Sequence, residues 1–374
     1  MVNKERMINE FKNLIKFDSE SFKELDISLY LFNKLKSLGL KVKIDDAGHK
    51  LYDNPKATGN IYGYLEGDKD LEPIILSSHM DTVSPGINKE AIIENDIAKS
   101  KGESVLGADD ITGIVTILEV LTIIKEKKLR HPDIEVVFFI AEEAYCKGSS
   151  LFDYSILKSR HAYVFDLAGD VGTIAISAPS IVSIKITIEG KAAHAGFEPE
   201  KGISAILAYA RFISKLKMGR IDSNTTLNIG TVEGGSGKNI IPNLVISEGE
   251  IRGMNDSKIK DIIDELADLL EKEVLPLGAK YKFEYNQNIS SYKIDENNYV
   301  VRQYKKALNG LGYGNPKLID TFGGSDNNNF NKNGIEGIVI SNAMNKIHTK
   351  EEYFLISELL KSVNITLKLM TMED

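Results

Sequence analysis

The sequence predicts an α/β fold, in which a mostly parallel sheet carries helices on both faces and an α+β unit is inserted. Apolar strand-like runs alternate with helical runs, and acidic residues follow the strands. Near Pro179 the pattern changes to one-sided alternation. At 374 residues the chain also exceeds what one core usually serves. We therefore expect residues 1–178 and 290–374 to form one domain and residues 179–289 to form a second.

Composition and charge narrow the class of protein. A hydrophobic fraction of 42% with 27% charged residues is ordinary for a soluble globular protein. A net charge of -8 argues against a nucleic-acid surface. The apolar runs are too short to cross a bilayer, and the N-terminus lacks the apolar centre of a signal peptide. A single cysteine, Cys146, excludes an intrachain disulfide. Together these features predict a cytoplasmic protein without nucleic-acid or membrane partners.

The elements of the first domain follow from apolar spacing. Helical spacing predicts helices at residues 7–15 and 25–38, the second ending at Gly39. Residues 111–124 are apolar on nearly all faces, which is typical of a buried helix. The run at 134–140 has the composition of a central strand covered on both sides. The other predicted strands lie at 42–44, 60–65, 74–78 and 163–165, and residues 84–103 are predicted to be a polar loop.

The inserted unit shows a different periodicity. Val182, Ile184, Ile186 and Ile188 alternate with polar residues, which indicates a strand with one wet face. Helices at 203–216 and 259–270 and strands at 225–232, 244–251 and 281–285 complete a four-stranded antiparallel sheet with two helices. The polar residues 286–291 are the predicted return to the first domain. A helix at 299–308, a strand at 337–340 and a final amphipathic helix then resume the α/β pattern.

Histidine and acidic residues recur where strands end or helices begin. Burying several carboxylates together is unfavourable unless cations compensate them. Carboxylates with imidazoles and no thiolate suit zinc, cobalt or manganese. Any one pair of these residues is more simply explained as a solvated surface pair. The prediction of a metal site therefore depends on the repeated occurrence of such residues just after apolar strands. The residues are His79 and Asp81, Asp109 and Asp110, Glu142 and Glu143, Asp166, and His348.

These segments, in this order, resemble a known family. The strings are His79-Met80-Asp81-Thr82-Val83, Gly107-Ala108-Asp109-Asp110, Ala141-Glu142-Glu143, Phe165-Asp166, Gly323-Gly324-Ser325-Asp326 and Ile347-His348-Thr349. The chain is similar in them to the two-zinc exopeptidases and amidases, a family that includes peptidase T. The resemblance spans nearly the whole chain and implies a zinc-exopeptidase-like sheet. It also implies two Zn²⁺ per subunit, with Co²⁺ or Mn²⁺ as alternatives.

The resemblance implies a role for each residue of the set. Position by position, His79 and Asp166 bind one metal, Glu143 and His348 bind the other, Asp109 bridges the two, Asp81 orients His79, and Glu142 is the general base. A cis peptide bond between Asp109 and Asp110 is also implied, and the roles of these two acids are open to exchange. A water or hydroxide held by two metals is nucleophilic near neutral pH, and the metals stabilise the oxyanion. Glu142 takes the proton of that water and passes it to the leaving amine.

A second set matches the family's substrate-binding positions. His194 lies between small residues and corresponds to a histidine that reaches a partner's active site, although a surface turn explains it equally well. Asn239 and Arg252 match residues that hold substrate, and a guanidinium suits a terminal carboxylate. Gly323 and Gly324 match a loop that lines the substrate cleft, or they only begin a helix that Ser325 caps. We expect the inserted domain to act as a lid, and the protein to be a monomer or a homodimer through that domain.

The first functional interpretation is a two-metal aminopeptidase that acts on short peptides, tripeptides above all. Asp166 favours it, because family members that cleave peptides tend to have Asp there and the deacylases tend to have Glu. The second interpretation is an amidase that acts on N-acyl amino acids. The third is a relative that binds peptides without catalysis. Ser78 departs from the family, which often has glycine before the histidine, as do the residues after Asp110 and Glu143.

Overall fold

The computed structural model describes residues 2–54 and 57–371 of the chain. Its backbone contacts separate two compact units, one built from Met1–Ser177 and Lys293–Asp374 and the other from Ala178–Tyr292. The first unit contains a mixed sheet with helices, and the second contains an antiparallel sheet with two α-helices. The predicted fold class is therefore confirmed.

The α-helices mostly follow from patterns that bury one apolar face. Within the described residues they are α1 (Lys4–Leu14), α2 (Leu25–Leu38), α3 (Ala47–Leu51), α4 (Ala108–Lys127), α5 (Lys147–Ser150), α6 (Ala205–Ile213), α7 (Asp256–Val274), α8 (Tyr299–Gly310), α9 (Asp326–Lys332) and α10 (Ile356–Thr371). As predicted, α2 ends at Gly39, whose φ of 103° lies in the left-handed region. None of these helices combines the length and apolarity that a bilayer crossing requires.

The β-strands divide among three sheets. They are β1 (Lys41–Ile44), β2 (Ile61–Leu65), β3 (Ile74–His79), β4 (Ala91–Glu94), β5 (Ile97–Ser100), β6 (Ile134–Phe139), β7 (His161–Leu167), β8 (Thr173–Ala178), β9 (Ser180–Glu189), β10 (Gly219–Asp222), β11 (Thr225–Gly234), β12 (Leu244–Gly253), β13 (Lys280–Ile289), β14 (Tyr292–Lys293), β15 (Lys317–Asp320), β16 (Glu336–Ser341), β17 (Met344–Asn345) and β18 (Tyr353–Leu355).

The main sheet sets up one functional edge. Its order is β1-β2-β6-β3-β7-β16-β8-β14, and β15 pairs with β8. The strand β3 lies between β6 and β7 and runs parallel to both. Every residue of β3 and β6 is buried, as expected for strands with helices on both faces. Because parallel strands end at the same edge of a sheet, the residues that follow β3, β6 and β7 lie near one another.

The helix α4 is the most deeply buried helix of the first unit. Nearly all of its residues from Ala108 to Ile124 are buried, which confirms the prediction of a helix that is apolar on nearly all faces. It packs against β3 and against α10. Its first residues therefore lie beside the edge of the sheet where β3 ends.

The prediction of a polar loop at 84–103 was wrong. That segment contains β4 and β5, which pair with each other and join β18 and β17 in a separate four-stranded sheet. Each of the two strands has only four residues of mixed polarity. Their partner β18 lies some 250 positions later in the chain, so no local pattern could indicate the pairing.

The inserted unit has one strand more than predicted. Its antiparallel sheet has the order β10-β11-β12-β9-β13. The extra edge strand β10 is exposed and carries a single apolar residue, Ile221, which gives no alternation to detect. The strand β13 extends to Ile289, so most of the predicted return at 286–291 is strand. Buried residues of β9, α6 and α7, such as Ile186, Phe212 and Leu266, form the core of this unit.

Glu24 anchors the start of α2 and is a buried acid. Only 1% of its surface is exposed. Its Oε1 accepts hydrogen bonds from the N–H groups of Phe22 at 2.9 Å and Ala141 at 3.0 Å. Its Oε2 has no hydrogen-bond partner among the described residues. Burial and the nearby Asp81 carboxylate raise the pKa of Glu24 to about 8, so the folded protein holds a proton there at neutral pH.

Replacing Glu24 with Gln is expected to reduce the sensitivity of folding to pH. The ordinary pKa of the carboxyl is 4.5 and its folded value is about 8, so folding takes up a proton between these values. This contribution to stability therefore falls as the pH rises through that window. The Gln variant imitates the neutral acid, and its stability relative to wild type should rise by roughly 1 kcal/mol per pH unit between about pH 6 and pH 8.

Urea unfolding at several pH values, with a chelator present throughout, measures this difference. Glu103→Gln is the control, because Glu103 is exposed, pairs with Lys350, and has a pKa below its ordinary value. That control should leave the slope in this window unchanged. Parallel stability curves for wild type and Glu24→Gln would show that Glu24 is not protonated in the folded protein.

Candidate metal centre

The edge of the main sheet and the start of α4 bring together the residues that the sequence singled out. The apolar strands β3, β6 and β7 each end at or near one or more of these residues. The positions are His79 as the last residue of β3, Asp109 as the second residue of α4, Glu142 and Glu143 just after β6, Asp166 near the end of β7, and His348 in the loop between β17 and β18.

Five predicted ligands converge in the structure. The Nε2 atom of His79 lies 3.1 Å from Oδ1 of Asp109, and the Nε2 atom of His348 lies 3.2 Å from Oδ2 of the same carboxylate. The Nε2 atom of His348 is also 2.9 Å from Oε1 of Glu143. Three groups have ligand atoms within 4.8 Å of one another: His79, Asp109 and Asp166; His79, Glu142 and Glu143; and Asp109, Glu143 and His348.

Burial of these groups changes their protonation. Burial, with repulsion from neighbouring carboxylates, raises the pKa of both Asp166 and Glu142 well above the ordinary values. Burial acts in the same direction on Asp109, but hydrogen bonds with His348 and His79 hold its pKa below the ordinary range. The hydrogen bond with Asp109 contributes most to raising the pKa of His348, which reaches about 10. A cation would relieve the repulsion among the acids, so the donor set fits divalent metals.

Asp81 holds the end of β3 against the segment after β6. Its Oδ1 accepts the N–H of Glu142 at 2.9 Å, and its Oδ2 accepts the N–H of Glu143 at 3.1 Å. The hydroxyl of Ser21 also donates to Oδ2, at 2.7 Å. The Nδ1 atom of His79 is 3.0 Å from the backbone carbonyl of Asp81 and 3.4 Å from its carboxylate. Asp81 therefore fixes the backbone of both glutamates as well as the ring of His79.

Asp110 faces away from the imidazole nitrogens. It accepts hydrogen bonds from the hydroxyl of Ser78, from the amide of Asn342 and from the N–H of His79. The peptide bond between Asp109 and Asp110 is cis. Ser78, which departs from the family's usual glycine, thus donates a hydrogen bond to the buried Asp110. This geometry favours Asp109 over Asp110 as the bridging acid.

Three contacts of the site escaped the sequence reasoning. Ser21 and Asn342 lie outside the motifs, and neither residue type signals such a contact. Cys146, the single cysteine of the sequence, is buried, and its Sγ donates a hydrogen bond to Oε1 of Glu142 at 3.2 Å. The spacing of four residues between Glu142 and Cys146 is the one signal that could have indicated this contact.

The remaining predicted residues lie in a loop of the first unit and in the inserted unit. Gly323 and Gly324 lie in the loop before α9, where Ser325 forms a capping box with Asn328. In the inserted unit, Nδ1 of His194 accepts hydrogen bonds from the N–H groups of two residues that follow it, and the N–H of Ala195 donates to the carbonyl of Asn239 at 2.9 Å. Arg252 in the same unit pairs with Glu250, with Nε and Oε1 2.7 Å apart.

Two family models match parts of the chain. The model of the peptidase dimerisation domain matches residues 176–277, and the model of peptidase family M28 matches residues 60–191. The chain is 35% identical to the uncharacterized protein YqjE of Bacillus subtilis over 375 residues. This alignment covers 99% of each sequence.

Two solved structures are similar over nearly their whole length. A tripeptidase from Staphylococcus aureus superposes with a TM-score of 0.93 at 34% identity, covering 99% of this chain and 98% of that one. The aminopeptidase PepT from Bacillus cereus gives a TM-score of 0.90 at 33% identity, with the same coverage. With such identity over the full length, the chain belongs to the zinc exopeptidase family that includes peptidase T.

Proposed function

We propose that this peptidase is an aminopeptidase that removes the N-terminal residue from tripeptides with the help of two metal ions. The observation that carries the proposal is that His79, Asp109, Glu143, Asp166 and His348 belong to overlapping groups of three, in each of which the possible ligand atoms lie within 4.8 Å of one another. The similarity to a tripeptidase and to an aminopeptidase at 33–34% identity supports the substrate class and the end that is cleaved.

The metal ligands are proposed as two half-sites that share one acid. One half-site consists of His79 and Asp166, the other of Glu143 and His348, and Asp109 spans the two because its oxygens face different imidazoles. Zn²⁺ suits imidazole and carboxylate ligands, and Co²⁺ or Mn²⁺ would suit them as well. Bound metal ions supply Lewis-acid activation of the scissile carbonyl and of water.

Glu142 is the proposed general base. It lies in the group formed with His79 and Glu143, and only 8% of its surface is exposed. Its backbone is fixed by the bond to Asp81, and Oε1 of its carboxyl group accepts the hydrogen bond of Cys146. Held in this way, the carboxylate takes a proton from the attacking water and delivers it to the leaving amine.

The inserted unit is proposed to hold the far end of the peptide. Arg252 presents a guanidinium that suits a terminal carboxylate, and Glu250 occupies part of it in this structure. A substrate carboxylate must therefore compete with Glu250 for Arg252. His194 and Asn239, whose segments are hydrogen-bonded to each other, are the other proposed contacts, and Gly323 and Gly324 are proposed to line the cleft.

We also propose that two copies pair through the inserted unit. The match of residues 176–277 to a peptidase dimerisation domain supports this assembly. Exposed apolar side chains of this unit, including Phe197, Leu207 and Val232, would be covered in such a dimer. Sedimentation velocity of the full chain measures the mass directly, and a monomer at all concentrations would contradict the proposal.

A defined panel of peptides tests the substrate class. The zinc-loaded protein is expected to release the N-terminal residue of tripeptides, and mass spectrometry of the products identifies the end that is cleaved. N-acetylated forms of the same tripeptides should resist cleavage if a free amine is required, and N-acyl amino acids test the amidase alternative. Preferential hydrolysis of the N-acyl amino acids would overturn the proposed aminopeptidase.

Replacing Glu142 with Gln is expected to separate catalysis from metal binding. The amide is isosteric but cannot accept the proton, so kcat should fall by about 10²–10⁴-fold while the metal content stays near that of wild type. Steady-state kinetics measures kcat, and elemental analysis of the purified variant measures its metal content. Glu94→Gln is the control, because Glu94 is exposed and pairs with Lys99. Near wild-type turnover in Glu142→Gln would exclude Glu142 as the base.

A further inference from the structure

No side chain at the N-cap position of α4 accepts a hydrogen bond from the first N–H groups of the helix. The residue that precedes the helix is Gly107, which has no side chain to accept a hydrogen bond, and its φ is 77°. The first N–H groups of any helix have no partner within the helix, so a buried helix start needs acceptors from elsewhere. Asp109 (φ -81°, ψ 103°) and Asp110 (φ -120°, ψ 32°) have non-helical backbone angles, so the N–H groups of the turn that leads into them also need acceptors from outside the helix.

Glu352 supplies these acceptors from a distant part of the chain. Its Oε2 accepts the N–H groups of Leu106 at 2.7 Å and Gly107 at 2.8 Å, and its Oε1 accepts the N–H of Asp109 at 2.9 Å. The partners are 243 to 246 positions apart in the sequence. Only 1% of the surface of Glu352 is exposed. Three hydrogen bonds to one buried carboxyl group restrain both segments.

The backbone at Gly107 makes this contact possible. Its left-handed conformation turns two successive N–H groups toward one oxygen, an arrangement that favours anionic acceptors. A Cβ atom at this position would lie 3.1 Å from Cδ of Lys89, so the space beside the turn is filled. The carboxylate of Glu352 and the turn at Gly107 therefore fit each other closely.

The contact connects the two halves of the centre. Glu352 lies four residues after His348, and its own N–H donates to the carbonyl of Thr349 at 3.1 Å. On the other side it holds the backbone of Asp109, whose two carboxylate oxygens face His79 and His348. The side chain of His348 is 47% exposed, so few other contacts fix its position. Glu352 thus ties the loop of one imidazole to the segment of the shared acid.

We propose that Glu352 is a positioning residue that holds Asp109 and His348 at the spacing that the metal ions require, before any metal binds. The inference rests on the proposed function only in taking Asp109 and His348 as ligands. Glu352 does not touch the metals or the substrate. It acts by preorganising two ligands that belong to separate segments of the chain.

Glu352→Gln tests the proposal, with Glu351→Gln as the matched control. Glu351 is the adjacent residue, is exposed, and pairs with Lys346 at 2.6 Å, so its substitution changes the same charge in the same loop. An amide at position 352 places donors against N–H donors and should lower the affinity for Co²⁺ by about 10–100-fold. Calorimetry measures this affinity, and the visible spectrum of bound Co²⁺ should change because the ligand geometry changes. The control should match wild type in both.

Turnover separates positioning from fold stability. In metal-saturated Glu352→Gln we expect kcat to fall while KM stays within about threefold of wild type, because the substrate contacts are unaffected. A folded Glu352→Gln variant with the affinity and Co²⁺ spectrum of wild type would overturn the proposal, even if it unfolded at a lower temperature. Loss of Co²⁺ affinity in a protein that hydrolyses no peptide would support Glu352 as a positioning residue while contradicting the aminopeptidase.

Hydrogen exchange of metal-free wild type keeps the test decisive if the variant does not fold. The N–H groups of Leu106, Gly107 and Asp109 should exchange slowly before any metal is added, because the carboxylate of Glu352 already binds them. Slow exchange supports the proposal. Exchange as fast as in an open loop, slowed only after metal is added, would show that the metals organise the segment and would overturn it.

Discussion

Repulsion among buried carboxylates is the constraint on which the rest of this structure depends. Asp109 and Glu142 are buried, Glu143 and Asp166 are half-buried, and all four belong to the groups of possible ligands that include the two imidazoles. Burial and mutual repulsion raise the pKa of Asp166 and Glu142. Interactions among these acids therefore do not stabilise the arrangement that brings them together. The segments that carry them must therefore be held by other contacts, and those contacts are made by the backbone.

A second set of acids holds these segments by accepting hydrogen bonds from backbone N–H groups. Asp81 holds the backbone of Glu142 and Glu143, and Glu352 holds the backbone around Asp109. Asp110 binds the N–H of His79 together with neutral side chains. Most of the hydrogen-bond donors to these acids are backbone N–H groups and neutral side chains. The acids of the centre are thus divided into those that face the imidazoles and those that fix the backbone behind them.

The elements with strong local patterns could be predicted from the sequence, and so could the residues at their ends. The apolar run at β6 and the mostly apolar α4 place Glu142 and the pair Asp109 and Asp110 at the edge of the sheet. The short strands β4 and β5 could not be predicted, because their pairing with β18 is long-range. Glu352 escaped for a similar reason, since the carboxylate contacts main-chain groups and any residue can supply those. The adjacent pair of acids at 109 and 110 has no local asymmetry, and only the partners of Asp110 distinguish them.

The two imidazoles depend on different kinds of support. His79 ends a fully buried strand in the middle of the main sheet, and 1% of its surface is exposed, so the packing of β3 between β6 and β7 fixes it. His348 lies in a loop with a φ of 63° and is half exposed, so packing alone cannot fix it. A centre built from one rigid and one loosely held imidazole needs a restraint on the second. The carboxylate of Glu352, four residues further along the same loop, lies where such a restraint has most effect, because it binds the segment that carries the shared Asp109.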